Sequence, residues 1–397
     1  MIENLLNDRR ILLGVTGSIA AYKSLELVRL LVKSGAKVRV IMSENAMRFV
    51  GALSFEALTN APVISTQSES WSNDNNHIHI HRWAEIFCIA PATANTINKL
   101  SWGIADTLLT QTALACAHPI LIAPAANTHM IEHPATKDSL KTLESRNVKI
   151  IDSVDKLLAC QDRGKGAMAE PETIFWHIAR ALLKEPSFAQ KQCIVTGGGT
   201  KEAIDDVRCI SNHSSGKMAE SLALGLFLKG ASVSLVSSAI AHLPHLPFER
   251  IGFQSSEELR KILHTLAPTH GVLYMAAAVS DYLVANPTKG KSKKSELGPK
   301  WQIELIQNRD ILKEMASLDL KCIGFKAETD NQIARKSAQE MLAQKGLHAV
   351  CLNVLDKDCY FGSEETKIDV YVNNSWISLP MQSKLDSAFS IIDLTLN

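Results

Sequence analysis

The sequence predicts an α/β protein built from two doubly wound, parallel-sheet domains in tandem. Three observations carry this reading. The chain has 397 residues, more than one ordinary domain holds. A strand, a glycine turn, a helix and a second strand follow one another at its start, which is a βαβ unit and implies a parallel sheet covered by helices. The same cycle then begins again near Gln192.

Taken in order, "ILLGVTGSIA" is an apolar, β-branched run that breaks at Gly14 and Gly17. "AYKSLELVRLLVKSGA" has apolar residues at helical spacing and Gly35 as its stop. "KVRVIMS" is the next strand. "IFCIAPATAN" and "PILIAPAAN" are short apolar strands running into small and polar residues, and open α/β sheets bind ligands at those carboxyl ends. "KQCIVTGGGT", "GKMAESLALGLFLKGA" and "SVSLVSS" give strand, helix and strand again, with "GVLYMAAAV" and "KCIGFKAET" as later strands. The connection is expected within residues 182–192, where Pro186 interrupts the pattern, giving domains 1–186 and 187–397. "IDVYVNNSWISL" reads as a β-hairpin with Asn373 and Asn374 in its turn, and an amphipathic helix follows.

Composition narrows the function classes. Hydrophobic residues make up 46% and charged residues 21%, as in a soluble globular protein. The net charge of +1, from 42 basic and 41 acidic side chains, gives no electrostatic case for nucleic acid or an acidic membrane surface. The start "MIENLLNDRR" lacks a signal-peptide core, and no apolar run is long enough to span a bilayer. Eight scattered cysteines without a C-x-x-C pair read as reduced thiols. A cytoplasmic enzyme acting on small molecules is the expectation.

Neither glycine turn, "GVTGSIA" or "TGGGT", matches G-x-G-x-x-G. Each would still present backbone N–H groups at a helix N-terminus, which suits a phosphate. "VIMSEN" places Ser43 ahead of Glu44, against a plain NAD fingerprint, and leaves a phosphate-bearing flavin or nucleotide open. The stretch "NNHIHIHRWAE" alternates His77, His79 and His81 with isoleucines. Read as an extended segment, it would set the three rings on one face about 7 Å apart. No Cys or carboxylate cluster nearby completes a metal site.

Longer motifs carry a resemblance. "GVTGSIAAYKSLELVRLLVKSGA", "HIHIHRWAEIFCIAPATAN", "APAAN" and "LACQDRGKGAMAEPE" resemble the flavin-dependent phosphopantothenoylcysteine decarboxylases. "DDVRCISNHSSGKMA", "MAAAVSDY", "KSKK", "QNRDIL" and "IGFKAET" resemble the phosphopantothenate–cysteine ligases. Both halves, in this order and over nearly the whole chain, are similar to the bacterial bifunctional proteins of coenzyme A biosynthesis. The resemblance implies two Rossmann-like domains, an N-terminal flavoprotein decarboxylase type and a C-terminal CTP-dependent ligase type. L-Cysteine would be joined to 4′-phosphopantothenate at the expense of CTP, through an acyl-cytidylate. The product would then be decarboxylated to 4′-phosphopantetheine, with FMN as the hydride acceptor that makes the thiol carbon an electron sink.

Roles follow from the resemblance, position by position. His77, aligned on Trp83 and Ala84, matches the base, Asn127 the carboxylate-gripping asparagine, and Cys160 the acid on a flap holding Gly164 and Gly166. FMN contacts are expected at Gly17, Ser18, Ser43, Thr93 and Asn95. His79 and His81 stand where the family has other residues. In the ligase half, Asn212 would handle the acyl-cytidylate and Lys291, in a Lys-rich loop, would act from a lid. The CTP site is expected at Met275, Ala276, Ala277, Asp281, Ile306, Gln307, Asn308, Arg309, Phe325, Met341 and Lys345. Mg²⁺ would be bound with CTP near Asp281. Gly197 to Gly199 and Ser214 to Lys217 are further phosphate-contact candidates. The family's trimeric decarboxylase halves and dimeric ligase halves imply a homo-oligomer, with a dodecamer as one way to combine them.

The chain departs from the family pattern at several places. Ala126 stands for a methionine, Lys156 and Gln161 for flap glycines, and Ala167 for an arginine. Arg309 replaces a proline, and Met341 a second nucleotide-site lysine, with Lys336 as a candidate substitute. These departures motivate one alternative, a ligase whose N-terminal half is an FMN-binding scaffold. A metal sensor built on the histidine triplet is a rival from another class. A generic flavin or nicotinamide oxidoreductase would leave the two dissimilar motif sets unexplained.

Overall fold

The computed structural model describes residues 2–72, 75–157, 163–243, 245–357 and 360–396. The chain forms two compact units. One comprises Ile2–Leu183 with His245–Pro247, the other the remainder from Lys184 onward, so the break lies just ahead of the expected 186/187 boundary.

In the first unit the sheet runs Lys37–Met42, Arg10–Val15, Ile86–Ala92, Ile120–Pro124, Lys149–Ile150, and every pairing is parallel. Ile11, Leu12, Leu13 and Val15 are all fully buried, as a central strand with helices on both faces requires. The helix Lys23–Lys33 turns Leu27, Val28 and Leu31 inward and stops where Gly35 adopts φ 85°. From the first strand the chain goes to Lys37–Met42 on one side and later to Ile86–Ala92 on the other. The topological switch point therefore lies between Arg10–Val15 and Ile86–Ala92, where such sheets open a crevice.

The second unit has an eight-stranded sheet in the order Glu249–Ile251, Ser232–Ser237, Gln192–Gly197, Val272–Met275, Lys321–Glu328, Ala349–Val354, Asp369–Val372, Ser375–Ser378. The first six are parallel and the last two antiparallel. Those last two form the hairpin expected from the sequence. Asn373 and Asn374 turn it at φ 50° and 60°, the left-handed conformation that asparagine tolerates. The final helix Lys384–Leu396 buries Leu385, Ala388, Ile391 and Ile392.

One element differs from expectation. The histidine segment is a helix, His77–Trp83, not an extended run. The Asn76 side chain caps it, accepting from the N–H groups of Ile78 and His79 at 3.1 Å each. Of the two isoleucines only Ile80 is fully buried, one turn before Ala84, so the apparent two-residue alternation hid a helical core face.

The helix Pro171–Leu183 closes the first unit through Ile174, Phe175, Ile178 and Ala179. His177 on the same helix is half-buried, and burial, with Lys149 and Arg180 nearby, pushes its imidazole down from 6.5 to about 4. The unfolded chain takes up this proton near pH 6.5 and the folded chain only near 4. Stability from neutral His177 is therefore full above 6.5 and drains away as the pH falls towards 4. At about 1.4 kcal/mol per pH unit, the loss reaches roughly 3 kcal/mol. Thermal unfolding of the full chain at pH 7.5 and pH 5 checks this. His177→Gln is expected to remove about 4–8 °C of the acid-induced fall in the first unit's midpoint. Equal falls in both proteins would contradict the assignment.

Candidate functional site

The strand ends of the first unit are tied together by Thr16, which is buried. Its Oγ1 donates to the Pro91 carbonyl at 2.7 Å and accepts the Thr93 N–H at 3.0 Å. Gly17 follows. A Cβ there would stand 2.5 Å from the Asn45 Cβ, so only glycine lets the turn at 43–45 close in. Ser18, Ser43, Thr93 and Asn127 each leave a strand end and cap the helix that follows. They accept from the N–H groups of Ala20 at 3.2 Å, Ala46 at 3.3 Å, Thr96 at 3.3 Å and His129 at 2.9 Å.

The result is a cavity of about 550 Å³ whose wall includes Gly17, Ser18, Ser43, Thr93 and Asn95. The structure thus brings together the five residues expected to contact a flavin. Thr16, Asn45 and Lys99 also line it and were not singled out from the sequence. A second cavity of about 460 Å³ shares Ser18, Ile19, Ala125 and Ala126 with the first and adds Lys23, Asn127 and Lys156. Among the described residues its wall carries two cations, Lys23 and Lys156, and no carboxylate. Behind it stands Glu170, which accepts from Lys23 Nζ at 3.0 Å and also from Lys156. Burial alone would raise the Glu170 carboxyl, but the two ammonium groups hold it below the usual range. Lys156 so ties the hairpin Val154–Leu157 and Arg163–Ala167 to the body of the unit, and Ala126 N–H adds a bond to the Gly166 carbonyl at 3.1 Å. Cys160 and Gln161 fall between these strands in sequence and lie outside the described residues.

The helix separates the three histidines. His77 and His81 are one turn apart on one face, while His79 Nδ1 meets the Asn76 side-chain amide at 2.8 Å. His77 lines neither cavity. Its Nδ1 is 3.4 Å from Glu69 Oε1 and its ring meets Trp71 edge-on at 5.6 Å. Burial first, then Arg82, His118 and His77, keep the His81 imidazole below its ordinary value. Among the described residues, no group of three His, Cys, Asp or Glu side chains is placed to hold a metal ion. The thiols of Cys88, Cys193 and Cys322 are pushed up by burial to about 12, about 12 and about 11, which suits packing and not nucleophilic work.

In the second unit Thr196 repeats the part of Thr16. Its Oγ1 accepts the Ala277 N–H at 3.1 Å, and Thr200 Oγ1 accepts that of Ser280 at 3.1 Å. The "TGGGT" turn is filled by its own chain, since a Cβ on Gly199 would run into the Asn212 carbonyl. Lys217 is engaged with the Gly362 carbonyl at 2.8 Å and with Glu364. The cavity opens one strand further along, at the ends of Val272–Met275 and Lys321–Glu328, and holds about 600 Å³. Met275, Ala277, Asp281, Gln307, Asn308, Arg309, Phe325, Met341 and Lys345 line it, all of them expected nucleotide-site residues. Ala276 and Ile306 do not. Asn212 stands beside the wall, its Nδ2 donating to the Val279 carbonyl at 3.2 Å.

Lys291 also stays out of the wall, and the loop around it explains why. Thr288 N–H donates to the Ile204 carbonyl at 3.0 Å, Gly290 N–H to Asp206 at 2.8 Å and Ser292 N–H to Asp205 at 3.2 Å. Both neighbours of Lys291 are thus anchored away from the cavity. Burial of Asp205 works against its charge, but backbone N–H groups of Val207, Arg208 and Ser292 hold its carboxyl below the usual range. Lys336 points to solvent near Glu340, 4.0 Å away, and does not replace a cavity cation. Lys326 does line the cavity and was missed, although "GFKAE" was already singled out for Phe325.

The sequence matches known proteins half by half and as a whole. A family profile described as "Flavoprotein" matches residues 2–183, and one described as "DNA/pantothenate metabolism flavoprotein C-terminal domain" matches residues 188–397. The coenzyme A biosynthesis bifunctional protein CoaBC of Haemophilus influenzae is 35% identical over 392 residues, covering 98% of this chain and 97% of its own. The chain is similar to a PPC decarboxylase mutant complexed with pantothenoylaminoethenethiol, at 34% identity and a TM-score of 0.41, covering 43% of this chain and 97% of that one. The C-terminal domain of a coenzyme A biosynthesis bifunctional protein CoaBC is 27% identical with a TM-score of 0.44, covering 53% of this chain and 95% of that one. No helix among the described residues is long and apolar enough to cross a membrane. With both half-profiles present in order and a full-length relative at this identity, the chain belongs to the family of bifunctional coenzyme A biosynthesis proteins.

Proposed function

We propose that the chain joins L-cysteine to 4′-phosphopantothenate in its second unit, using CTP, and decarboxylates the product to 4′-phosphopantetheine in its first, using FMN. The observation that supports this best is that each unit has a strand-end cavity lined by the motif residues of its own half.

The first cavity suits FMN. Its volume is within the range of cofactor pockets, and Gly17 and the capped turns at Ser18, Ser43 and Thr93 offer close backbone approach and helix N-termini for a phosphate. Gly17, Ser18, Ser43, Thr93 and Asn95 would hold the cofactor, which when bound supplies hydride acceptance and return. In the adjoining cavity the Asn127 amide donates to the substrate carboxylate, and Lys23 and Lys156 offset its anionic groups. His77 takes the thiol proton. Cys160, outside the described residues, is the expected acid. That His77 lines neither cavity, while Phe49, Met130 and Trp102 are 50%, 52% and 81% exposed, fits a flavin site completed by a neighbouring copy, as in a trimer. Paired ligase halves would extend trimers to a dodecamer. The cytoplasm is the natural compartment for these substrates.

In the second cavity Asp281 would hold Mg²⁺ with CTP, and Asn308, Phe325 and Lys345 would line the nucleotide. The substrate carboxylate attacks the α-phosphorus and pyrophosphate leaves. The cysteine amine then displaces CMP, with Asn212 beside the acyl-cytidylate. Lys291 reaches the site only if the Asp205-anchored loop opens, a lid movement.

The test separates the half-reactions. Purified protein should be yellow, release carbon dioxide from 4′-phosphopantothenoylcysteine, and release pyrophosphate from CTP when given 4′-phosphopantothenate and cysteine. Pyrophosphate without carbon dioxide would install the ligase-with-scaffold reading, and neither product would sink both. Within the first unit, His77→Asn is expected to cut carbon dioxide release by about a hundredfold or more while pyrophosphate release is kept. His79→Gln and His81→Gln should each stay within about threefold of the parent, a difference steady-state rates resolve.

A further inference from the structure

We propose that Arg309 is the residue that fixes the phosphate chain of the nucleotide in the second cavity. The inference rests on the assignment of that cavity to CTP and concerns what gives it affinity.

Three cations line the cavity, Arg309, Lys326 and Lys345, together with two carboxylates, Asp281 and Asp310. Two of the cations are spoken for. Lys345 Nζ is 2.9 Å from Asp310, and Lys326 Nζ is 3.1 Å from Glu328. Among the described residues, no carboxylate lies within ion-pair distance of the Arg309 guanidinium, while Lys326 and Lys345 each have one. Once the two neutral pairs are set aside, the wall keeps one carboxylate, Asp281, and one guanidinium, Arg309. A magnesium nucleotide needs both, a ligand for the metal and a cation for the phosphate oxygens.

The backbone holds Arg309 at this rim. Asn308 N–H donates to the Asp281 carbonyl at 2.8 Å and Asn308 Nδ2 to the Ser280 carbonyl at 2.8 Å. Arg309 N–H donates to Asn308 Oδ1 at 2.8 Å, and Asp310 caps the next helix through Lys313 N–H at 3.0 Å. The residue is therefore fixed on both sides, and only its side chain is left to adapt. A guanidinium presents two parallel N–H donors to phosphate oxygens, where an ammonium acts as a point charge. Met341, on the same helix face as Lys345, packs with the apolar core under Gly324 and contributes wall but no charge. With the Lys291 loop anchored on Asp205 and Asp206, the anionic end of the ligand meets Arg309 first.

Isothermal titration of the full-length protein with CTP and Mg²⁺, and competition with cytidine, tests this. Arg309→Gln is expected to weaken CTP about ten- to a hundredfold and to leave cytidine unchanged. Adding Met341→Lys in the same chain should recover part of the loss, since it returns a cation to the wall. If Arg309→Gln binds CTP as the parent does while Asn308→Ala loses it, the cavity assignment stands and the Arg309 inference falls. If both variants bind CTP as the parent does, the cavity assignment fails and takes the inference with it. Equal losses for CTP and cytidine would mean that Arg309 shapes the pocket, which also overturns the proposal.

Discussion

Two buried threonine hydroxyls set the geometry on which both sites depend. Each ends the first strand of its unit in the tripeptide Val-Thr-Gly, at 15–17 and again at 195–197. A hydroxyl can donate and accept at once, so one side chain can hold two groups at the end of the neighbouring strand. Thr16 does so toward Pro91 and Thr93, and Thr196 toward Met275 and Ala277. Without such a bridge the buried N–H groups at these strand ends would need water or would be left unpaired, at a cost of about 1–3 kcal/mol each. With it, the turns converge at a fixed distance, and a parallel sheet gathers every such turn on one edge. The helix caps Ser18, Ser43 and Thr93 then face one cavity, and Ser18 and Asn127 the cavity that adjoins it.

The two sites are covered by different kinds of contact. Over the first, Lys156 meets Glu170, a carboxylate shared with Lys23. Lys156 is half exposed, so its contact is screened and readily exchanged with water. Beside the second, the loop carrying Lys291 is held by backbone N–H groups on the buried Asp205 and the neighbouring Asp206. Charge-assisted bonds to a buried carboxylate are stronger and less sensitive to salt. The two covers should thus open at different rates within one chain, the hairpin more easily than the loop.

Much of this was legible in the sequence because it is local. Apolar runs that break at glycines fixed the strands, and the Asn373–Asn374 turn fixed the last hairpin. The residues expected to contact a flavin lie next to strand ends, so the topology alone brings them together. What was not legible depends on partners distant in sequence. The histidine segment alternates like a strand, but Asn76 caps it and Ile80 sits on a helical core face. Lys291 belongs to a motif, yet where it stands is decided by Asp205 and Asp206, far earlier in the chain. Lys326 and Arg309 differ in their surroundings: Glu328 lies beside Lys326, while among the described residues no carboxylate pairs with Arg309. No reading of either residue alone could separate them.

Two chemistries in one chain call for two strand-end sites that work independently, one in each unit. The most direct measurement is complementation between enzymes carrying Asn127→Ala and Asn212→Ala, with 4′-phosphopantothenate, cysteine, CTP and Mg²⁺ supplied together. The first variant is expected to accumulate 4′-phosphopantothenoylcysteine, the second to make almost none, and their mixture to yield 4′-phosphopantetheine. If either substitution stopped both partial reactions, or if the mixture stayed inactive while each variant kept its own remaining activity, the account of two independent sites would be wrong.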